Sequence, residues 1–288
     1  MNAPQLTPSS LASGSSWPAS LSLTVGKTAR GSRLLSKSHK GPLYIQKAFY
    51  PEGQDLAHIY LLHPPGGLVS GDSLFIGVDC KEQAACVLTT PGAGKLYKAR
   101  EDKRIQRQSV ALTVEQRASI EWFPQETIVF PGACGELDLQ IDLAEQAKTI
   151  GWEVMCYGLP ACEAPFLHGS VNQRLSIKRN GIPLFIDQLS LKGTETSFTK
   201  GKAGLASANA TGIFWAGQFD QYPELLMQKL VELCQGFHAA PSFIRGFICL
   251  RYLGQSAAEA KALFVEAWHA IRPVLLAKEA CPPAIWHC

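Results

Sequence analysis

With 288 residues, 46% of them hydrophobic and 18% charged, the chain is long enough for one large domain or two small ones. A net charge of +3, with no basic stripe interleaved with aromatics, argues against a nucleic-acid partner. No apolar run reaches the roughly 18 residues of a membrane span, and the first residues lack the basic start and apolar core of a secretory signal, so the expected setting is cytoplasmic, without a membrane.

Residues 1–20, rich in Ser, Pro and Ala, read as a disordered lead-in, leaving 21–288 as a single β-rich domain. Short β-prone runs follow at Leu21–Val25, Leu43–Tyr50, His58–Leu62, Leu74–Asp79, Cys86–Thr90 and Ile105–Val114. They continue at Ile120–Phe123, Thr127–Phe130, Leu137–Leu143, Trp152–Tyr157, Leu175–Lys178 and Pro183–Leu189. In Leu137–Leu143 every odd position is apolar and every even one polar, the signature of a strand with one buried face. Many strands with turns and no helices between them predict a mainly β fold of stacked antiparallel sheets.

The last third differs. Thr194–Gly212 is rich in small and polar residues without a period and reads as a mobile loop. Pro223–Phe237 predicts a helix with Leu226, Leu230, Leu233 and Phe237 on one face, and Phe243–Leu253 is β-like. A second helix is expected from Ser256, which forms a capping box with Glu259 and leads into the apolar stripe Phe264, Trp268, Ile271, Leu275. Two helices in the C-terminal third thus flank a strand.

Nine cysteines, an odd number with no Cys-x-x-Cys pair, read as buried thiols and not as a structural zinc site; Cys80, Cys86, Cys134, Cys156 and Cys249 sit in apolar or alternating runs. The densest basic stretch, Lys95 to Arg107, also holds Glu101 and Asp102 and reads as a solvated edge or loop, with an acidic-partner surface as the minority reading.

Two Pro/Gly-built turns carry the ionisable groups: His63-Pro64-Pro65-Gly66-Gly67-Leu68-Val69-Ser70-Gly71-Asp72 and Thr89-Thr90-Pro91-Gly92-Ala93-Gly94-Lys95. The second is not a phosphate loop, because Thr89 stands where the motif needs Gly and Leu96 where it needs Ser or Thr. His63 and Asp72 lack the further ligands of a metallohydrolase; each has a structural alternative, Asp72 as an acceptor for backbone donors of its own turn. Glu126, in Trp122-Phe123-Pro124-Gln125-Glu126, is either a polar cap on a strand end or a metal-path or partner contact. Glu163 is either an exposed turn carboxylate or, facing a polar channel, a divalent-cation ligand. The tail His287-Cys288, with Cys281, is either a frayed end or a holder of a borderline-soft metal. No catalytic set emerges, which favours a binding or scaffold role over an enzyme.

The same residues closely resemble the UreD (UreH) family of urease accessory proteins: His63-Pro64-Pro65-Gly66-Gly67…Gly71-Asp72, then Leu88-Thr89-Thr90-Pro91-Gly92-Ala93…Lys95-Leu96-Tyr97, then Trp122…Pro124-Gln125-Glu126-Thr127. The likeness extends through Arg251-Tyr252-Leu253-Gly254, Phe264 and Trp268, Arg272-Pro273 and Pro282-Pro283-Ala284-Ile285-Trp286. Ser70 stands where that family commonly has another Gly, and Leu159 and Cys162 fall in a segment that in relatives often reads Gly-Arg…Gly-Glu. The resemblance implies a scaffold that bridges apo-urease to UreF-like and UreG-like proteins, the latter a GTPase, during Ni²⁺ insertion. It also implies a non-enzymatic protein with no tightly bound cofactor, Ni²⁺ passing transiently, and a homodimer within the complex as one possibility. A conduit needs several weak oxygen or nitrogen contacts, since one tight site would trap the ion; Asp72 and Glu163, then Glu126 and His63, are its expected contacts. The alternative is a purely structural adaptor that no metal crosses.

Overall fold

The computed structural model describes residues 17–287. In chain order the strands are β1 (Pro18–Thr28), β2 (Gly31–Lys40), β3 (Tyr44–Phe49), β4 (Ala57–Leu62), β5 (Ser73–Cys80), β6 (Ala85–Thr89), β7 (Gly94–Leu96), β8 (Gln106–Val114) and β9 (Ser119–Phe123). They are followed by β10 (Thr127–Val129), β11 (Cys134–Leu143), β12 (Lys148–Tyr157), β13 (Ser170–Arg179), β14 (Ile182–Lys192), α1 (Thr196–Thr199), β15 (Ala210–Gly217), α2 (Glu224–Leu233), β16 (Ala239–Ile244), β17 (Phe247–Gly254) and α3 (Ala257–Leu276). A 7-stranded sheet in the order β14-β13-β11-β8-β5-β1-β2 faces a larger one in the order β16-β17-β15-β12-β9-β6-β4-β3.

The mainly β class holds, but the expected antiparallel pairing does not. From β4 to β13 the chain winds back and forth between the two sheets, laying each strand beside the one placed a circuit earlier. Within the first sheet β5, β8, β11 and β13 therefore run parallel, and within the second β4, β6, β9 and β12 do likewise. Antiparallel pairs are confined to the flanks, as in β1–β2, β13–β14 and β15–β17. Parallel neighbours need a long crossover, usually a helix; here a strand of the facing sheet serves, so the absence of helices was no sign of antiparallel order.

Alternation decides what is buried. Leu139 and Ile141 of β11, Ile76 and Val78 of β5, and Leu175 and Ile177 of β13 meet Leu88, Ile120, Met155 and Trp215 of the facing sheet. The second sheet is buried on both faces: Phe123, Trp152, Phe214 and Leu250 point the other way, against Leu226 and Leu230 of α2 and Phe264, Trp268, Ile271 and Leu275 of α3. Phe123 stacks on Trp152 at 4.3 Å between ring centres and meets Trp268 edge-on at 4.9 Å. Both predicted helices thus cover one face of one sheet, flanking no single strand.

Several boundaries shift for local reasons. β1 begins at Pro18, ahead of the expected start near residue 21, while residues 1–16 lie outside the described residues. Thr194–Gly212 holds α1 and the start of β15, anchored where Leu205 is buried and its amide donates to the Phe198 carbonyl at 2.8 Å. The run Phe243–Leu253 is not one strand but most of a hairpin, turned at Arg245 and Gly246, both with positive φ (49° and 84°) as a two-residue hairpin loop demands. α2 stops at Leu233, so Phe237 of its expected stripe lies beyond the helix end. At α3 the Ser256 hydroxyl accepts from the Glu259 amide at 3.3 Å, but the Glu259 carboxylate takes the Tyr252 hydroxyl at 2.9 Å, leaving the capping box half made. The cysteines among the described residues are free thiols; Cys80, Cys86 and Cys249 are buried as expected, whereas Cys134 and Cys156 are half-buried.

Candidate functional site: the crossover end of the sandwich

The winding gives the sandwich two unlike ends. Strands of the first sheet return to the second through the short turns 81–84, 115–118 and 144–147. Strands of the second sheet return to the first through the longer crossovers 63–72, 90–105, 124–133 and 158–169. His63 and Asp72 occupy the first crossover, Glu126 the third and Glu163 the fourth, so the topology collects all four candidates at one end.

The crossovers are tied together. The Leu68 amide donates to the Lys95 carbonyl at 2.8 Å and the Tyr97 amide to the Leu68 carbonyl at 3.0 Å, joining the first to the second. β7 pairs with β10, joining the second to the third, and the Gly132 amide donates to the His168 carbonyl at 2.8 Å, joining the third to the fourth. Gly67 has no room for a side chain: a Cβ there would lie 2.8 Å from the Lys95 carbonyl oxygen. Gln106, fully buried at the start of β8, donates through Nε2 to the carbonyls of Leu68 (2.7 Å) and Tyr97 (2.8 Å) and accepts through Oε1 from the Cys134 amide (3.1 Å). One amide side chain thus pins three segments. Ser70 is buried, and its hydroxyl accepts from the Arg100 amide at 2.6 Å, a bond the glycine common at this position in the resembling family could not make.

The four candidates differ in what they have free. Asp72 accepts from the Val69 amide at 3.0 Å through one oxygen and from the Trp17 amide at 3.3 Å through the other, which is the turn-building alternative for this residue. His63 is half-buried; burial pushes its pKa down, against the pull of the Asp72 carboxylate, which favours the neutral ring at pH 7. Glu126 is half-buried just before β10; burial pushes the Cys156 thiol up and the nearby Glu126 charge adds to this, whereas burial pushes the Lys261 ammonium down and the Glu126 charge opposes it. Glu163 is exposed, with φ 53°, ending the 3₁₀ turn Pro160–Cys162. Among the described residues no three His, Cys, Asp or Glu side chains come together to hold a metal ion. The Cys288 end of the tail lies outside the described residues.

Two carboxylate systems escaped the sequence reading. On β12 the residues facing the other sheet are Thr149, Gly151, Glu153, Met155 and Tyr157, which places a carboxylate inside the sandwich. Glu153 accepts from Gln173 Nε2 at 2.9 Å, and burial pushes its pKa up to about 7, aided by the charges of Asp138 and Asp187. Nearby the Asp187 carboxylate accepts from Arg251 at 2.7 Å and the Tyr157 hydroxyl pairs with Thr211 at 2.9 Å. Gln173, Asp187, Thr211 and Arg251 line a cleft of about 540 Å³ between the sheets at their β14/β16 edge. The signal was present in Thr149–Tyr157, where Glu153 is the one acid on an alternating strand, but an isolated acid in a strand draws no notice.

The second system lies under α3. Arg272, fully buried, donates to Glu121 (Nη2 to Oε1, 2.9 Å) and to Glu52 (Nη1 to Oε2, 2.6 Å). Trp268 Nε1 donates to Glu121 at 2.8 Å, and His58 Nε2 pairs with Glu52 at 2.7 Å. Burial raises the Glu121 pKa although Arg272 opposes it, whereas His58 and Arg272 hold that of Glu52 down against its burial. This network fastens helix to sheet; a buried ion pair broken on one side is strongly destabilising. The motif Arg272-Pro273 is therefore structural in its arginine.

Comparison with known proteins supplies what geometry leaves open. The family model described as UreD urease accessory protein matches residues 18–287. The urease accessory protein UreD of Marinomonas sp. (strain MWYL1) is 43% identical over 282 residues, covering 94% of this chain and 90% of the relative. Urease accessory protein UreD 1 of Psychrobacter cryohalolentis is 40% identical over 275 residues (94% and 91% covered), and UreD of Psychromonas ingrahamii 39% over 290 residues (94% of each).

Proposed function

The chain belongs to the UreD family of urease accessory proteins, and from that premise we propose that it bridges apo-urease to UreF-like and UreG-like proteins and lets Ni²⁺ cross its interior during GTP-dependent insertion. It acts as a scaffold and not as an enzyme, in the cytoplasm. The cargo is Ni²⁺, held only in passage.

The observation that carries the transit reading is the polar seam between the sheets. The sandwich interior is mostly apolar, and a half-buried carboxylate within it, whose charged form burial disfavours, lowers stability in the way functional sites often do. Gln173, Thr211 and Asp187, the last paired with Arg251, offer oxygen ligands along a cleft open at the sheet edge, and Glu153 adjoins it through the bond from Gln173. Oxygen ligands exchange readily on a hydrated dication, and no single one of them would trap it. On β12 the core-facing row runs from Glu153 to Tyr157, the last residue before the fourth crossover, so the seam leads toward the end where Glu126 and Glu163 stand. Asp72 and His63 join this path at its margin, the carboxylate of Asp72 being occupied by its turn. That occupation is the observation favouring the adaptor alternative at this position.

The test is co-expression with urease subunits and the UreF-like and UreG-like proteins, followed by pull-down and a nickel-dependent urease assay. Wild type is expected to form the complex and to be required for activation. Glu153→Gln and Glu163→Gln are expected to assemble normally and to lower activation several-fold. Full activation by both variants would leave the adaptor reading standing, and absence of any complex with wild type would remove both.

A further inference from the structure

The basic stretch Lys95 to Arg107 forms the second crossover, and its charges go largely unanswered. Arg100 and Arg104 share one acid, Asp102, at 3.8 and 3.7 Å. Lys98 and Lys103 are exposed and make no ion pair among the described residues. The connection 193–209 reaches the same end of the sandwich, since β14 stops at Lys192 beside Ser170 and β15 starts at Ala210 beside Cys156. It adds Lys200 and Lys202, exposed and likewise unpaired among the described residues. The opposite end treats its cations differently. There Lys81 pairs with Glu115 at 2.9 Å and Arg117 with Glu82, each reaching across to the neighbouring turn. The crossover end is thus a surface short of negative charge, on a chain that elsewhere supplies it.

Apolar side chains stand at the same end. Trp17 is 59% exposed, Val69 43% and Leu167 50%. The Asp72 carboxylate ties the first two together, one oxygen on the Trp17 amide and the other on the Val69 amide. Leu167 lies in the fourth crossover against Gly193, where the connection that carries Lys200 and Lys202 begins: a Cβ on Gly193 would fall 2.6 Å from the Leu167 carbonyl carbon. Exposed apolar anchors set among charges are the make-up of a protein–protein interface.

We propose that the crossover end of the sandwich docks an acidic face of another protein of the urease-maturation assembly. The lysines steer and orient that face, while Trp17, Val69 and Leu167 supply contact area. A second copy of this chain fits less well, because Asp55, Glu82 and Glu115 of its turn end are already held by Lys27, Arg117 and Lys81. A nucleic acid or an anionic membrane also fits less well: Glu101 and Glu163, exposed at this end, would meet phosphate and repel it. The inference rests on the maturation reading for the identity of the partner but not on the passage of nickel.

The experiment titrates the tagged wild-type chain and three double variants against urease subunits together with the UreF-like and UreG-like proteins. Lys98→Glu/Lys103→Glu reverses charge at the crossover end, and Trp17→Ala/Leu167→Ala removes two anchors. Arg174→Glu/Lys229→Glu makes the same change of charge at exposed residues of β13 and α2. Wild-type affinity is expected to fall about tenfold between about 0.05 and 0.5 M salt. At low salt the lysine reversal is expected to bind at least about tenfold more weakly and to lose most of that salt dependence. The anchor variant is expected to weaken by about tenfold and to keep it, while Arg174→Glu/Lys229→Glu binds as wild type and all four proteins unfold at the same temperature. Hydrogen exchange on the wild-type complex needs no variant: amides of 66–72 and 97–105 are expected to slow on assembly. Salt-independent binding, either crossover-end variant binding as wild type, or protection only elsewhere overturns the docking end and leaves the maturation reading standing. Vesicles rich in phosphatidylserine and a short RNA duplex are the rival probes. Binding to either that the lysine reversal abolishes, with urease components bound equally by wild type and variant, overturns the protein partner. A wild-type chain that captures no urease component overturns the maturation reading itself.

Discussion

The two ends of the sandwich solve the same topological problem in opposite ways. At one end the chain passes from the first sheet to the second three times, and each time it uses the same device. Lys81-Glu82-Gln83-Ala84, Glu115-Gln116-Arg117-Ala118 and Ala144-Glu145-Gln146-Ala147 each close with the last amide donating to the first carbonyl, at 3.0 to 3.1 Å, and each ends on a buried Ala. The turns stack: the Ser119 amide donates to the Ala84 carbonyl and the Lys148 amide to that of Ala118. At the other end the four crossovers share no pattern, are held by the buried side chains of Gln106 and Ser70, and carry the Pro/Gly motifs and candidate ligands. Where one solution repeats, the chain is serving its fold; where each return differs, something beyond closure has shaped it.

The sharpest way to break this contrast is to remove what holds the crossovers. Gln106→Ala leaves the Leu68 and Tyr97 carbonyls and the Cys134 amide without their partner in a buried site. At about 1 kcal/mol per bond, and more for groups left unpaired, the expected loss is about 3 kcal/mol in urea unfolding. Limited proteolysis of the folded variant is expected to cut first within 97–105. If 81–84 and 115–118 became protease-sensitive instead, the two ends would be one cooperative unit and the contrast would fail.

A smaller, pH-dependent effect tests the interior between the ends. The folded chain holds the Glu153 proton up to about pH 7, while the unfolded chain releases it near the ordinary glutamate value of 4.5. Across that window the unfolded state binds fewer protons, so stability falls as pH rises, and above pH 7 the whole penalty is present. Glu153→Gln keeps the bond from Gln173 and removes the titration. Each tenfold difference in proton affinity between the two states is worth roughly 1.4 kcal/mol. Discounted for the part of the side chain that water reaches, the variant is expected to match wild type near pH 4 and to exceed it by about 2 kcal/mol at pH 8. An equal gain at both pH values would show that the carboxylate is not charged at a cost inside the sandwich.

How far this design can be read from the chain differs by level. The alternation of Leu137–Leu143 and the stripe Phe264, Trp268, Ile271, Leu275 were legible because burial on one side imposes a period that side chains record. The pairing of β5 with β8 was not: it depends on where the intervening β6 goes, and a strand used as a crossover looks like any other strand. The turns holding His63, Asp72, Glu126 and Glu163 could be found from Pro and Gly, and their common end follows only from the winding. That Asp72 spends both oxygens on amides, one of them 55 residues away at Trp17, needed three dimensions.

The repeated turns offer the finest test, because their third positions are not equally comfortable. Gln83 and Arg117 sit at φ 61° and 56°, the left-handed region that costs a side-chain-bearing residue about 1–2 kcal/mol, whereas Gln146 in the third turn is not so placed. Gln83 is exposed and its side chain makes no bond among the described residues that a glycine would forfeit, so Gln83→Gly relieves the strain and gives back part of it as entropy of the unfolded chain. The net gain expected is about 0.5 kcal/mol, read as a rise in urea midpoint at unchanged slope. The same change at Gln146, which has no strain to relieve, is expected to lose about as much. Opposite signs at two positions of one repeated motif would mean that the turns are equivalent in hydrogen bonding but not in backbone, and that the stack tightens from its third turn toward its first. Equal signs would mean that closure by the buried Ala, and not the third residue, sets the cost of every turn at this end.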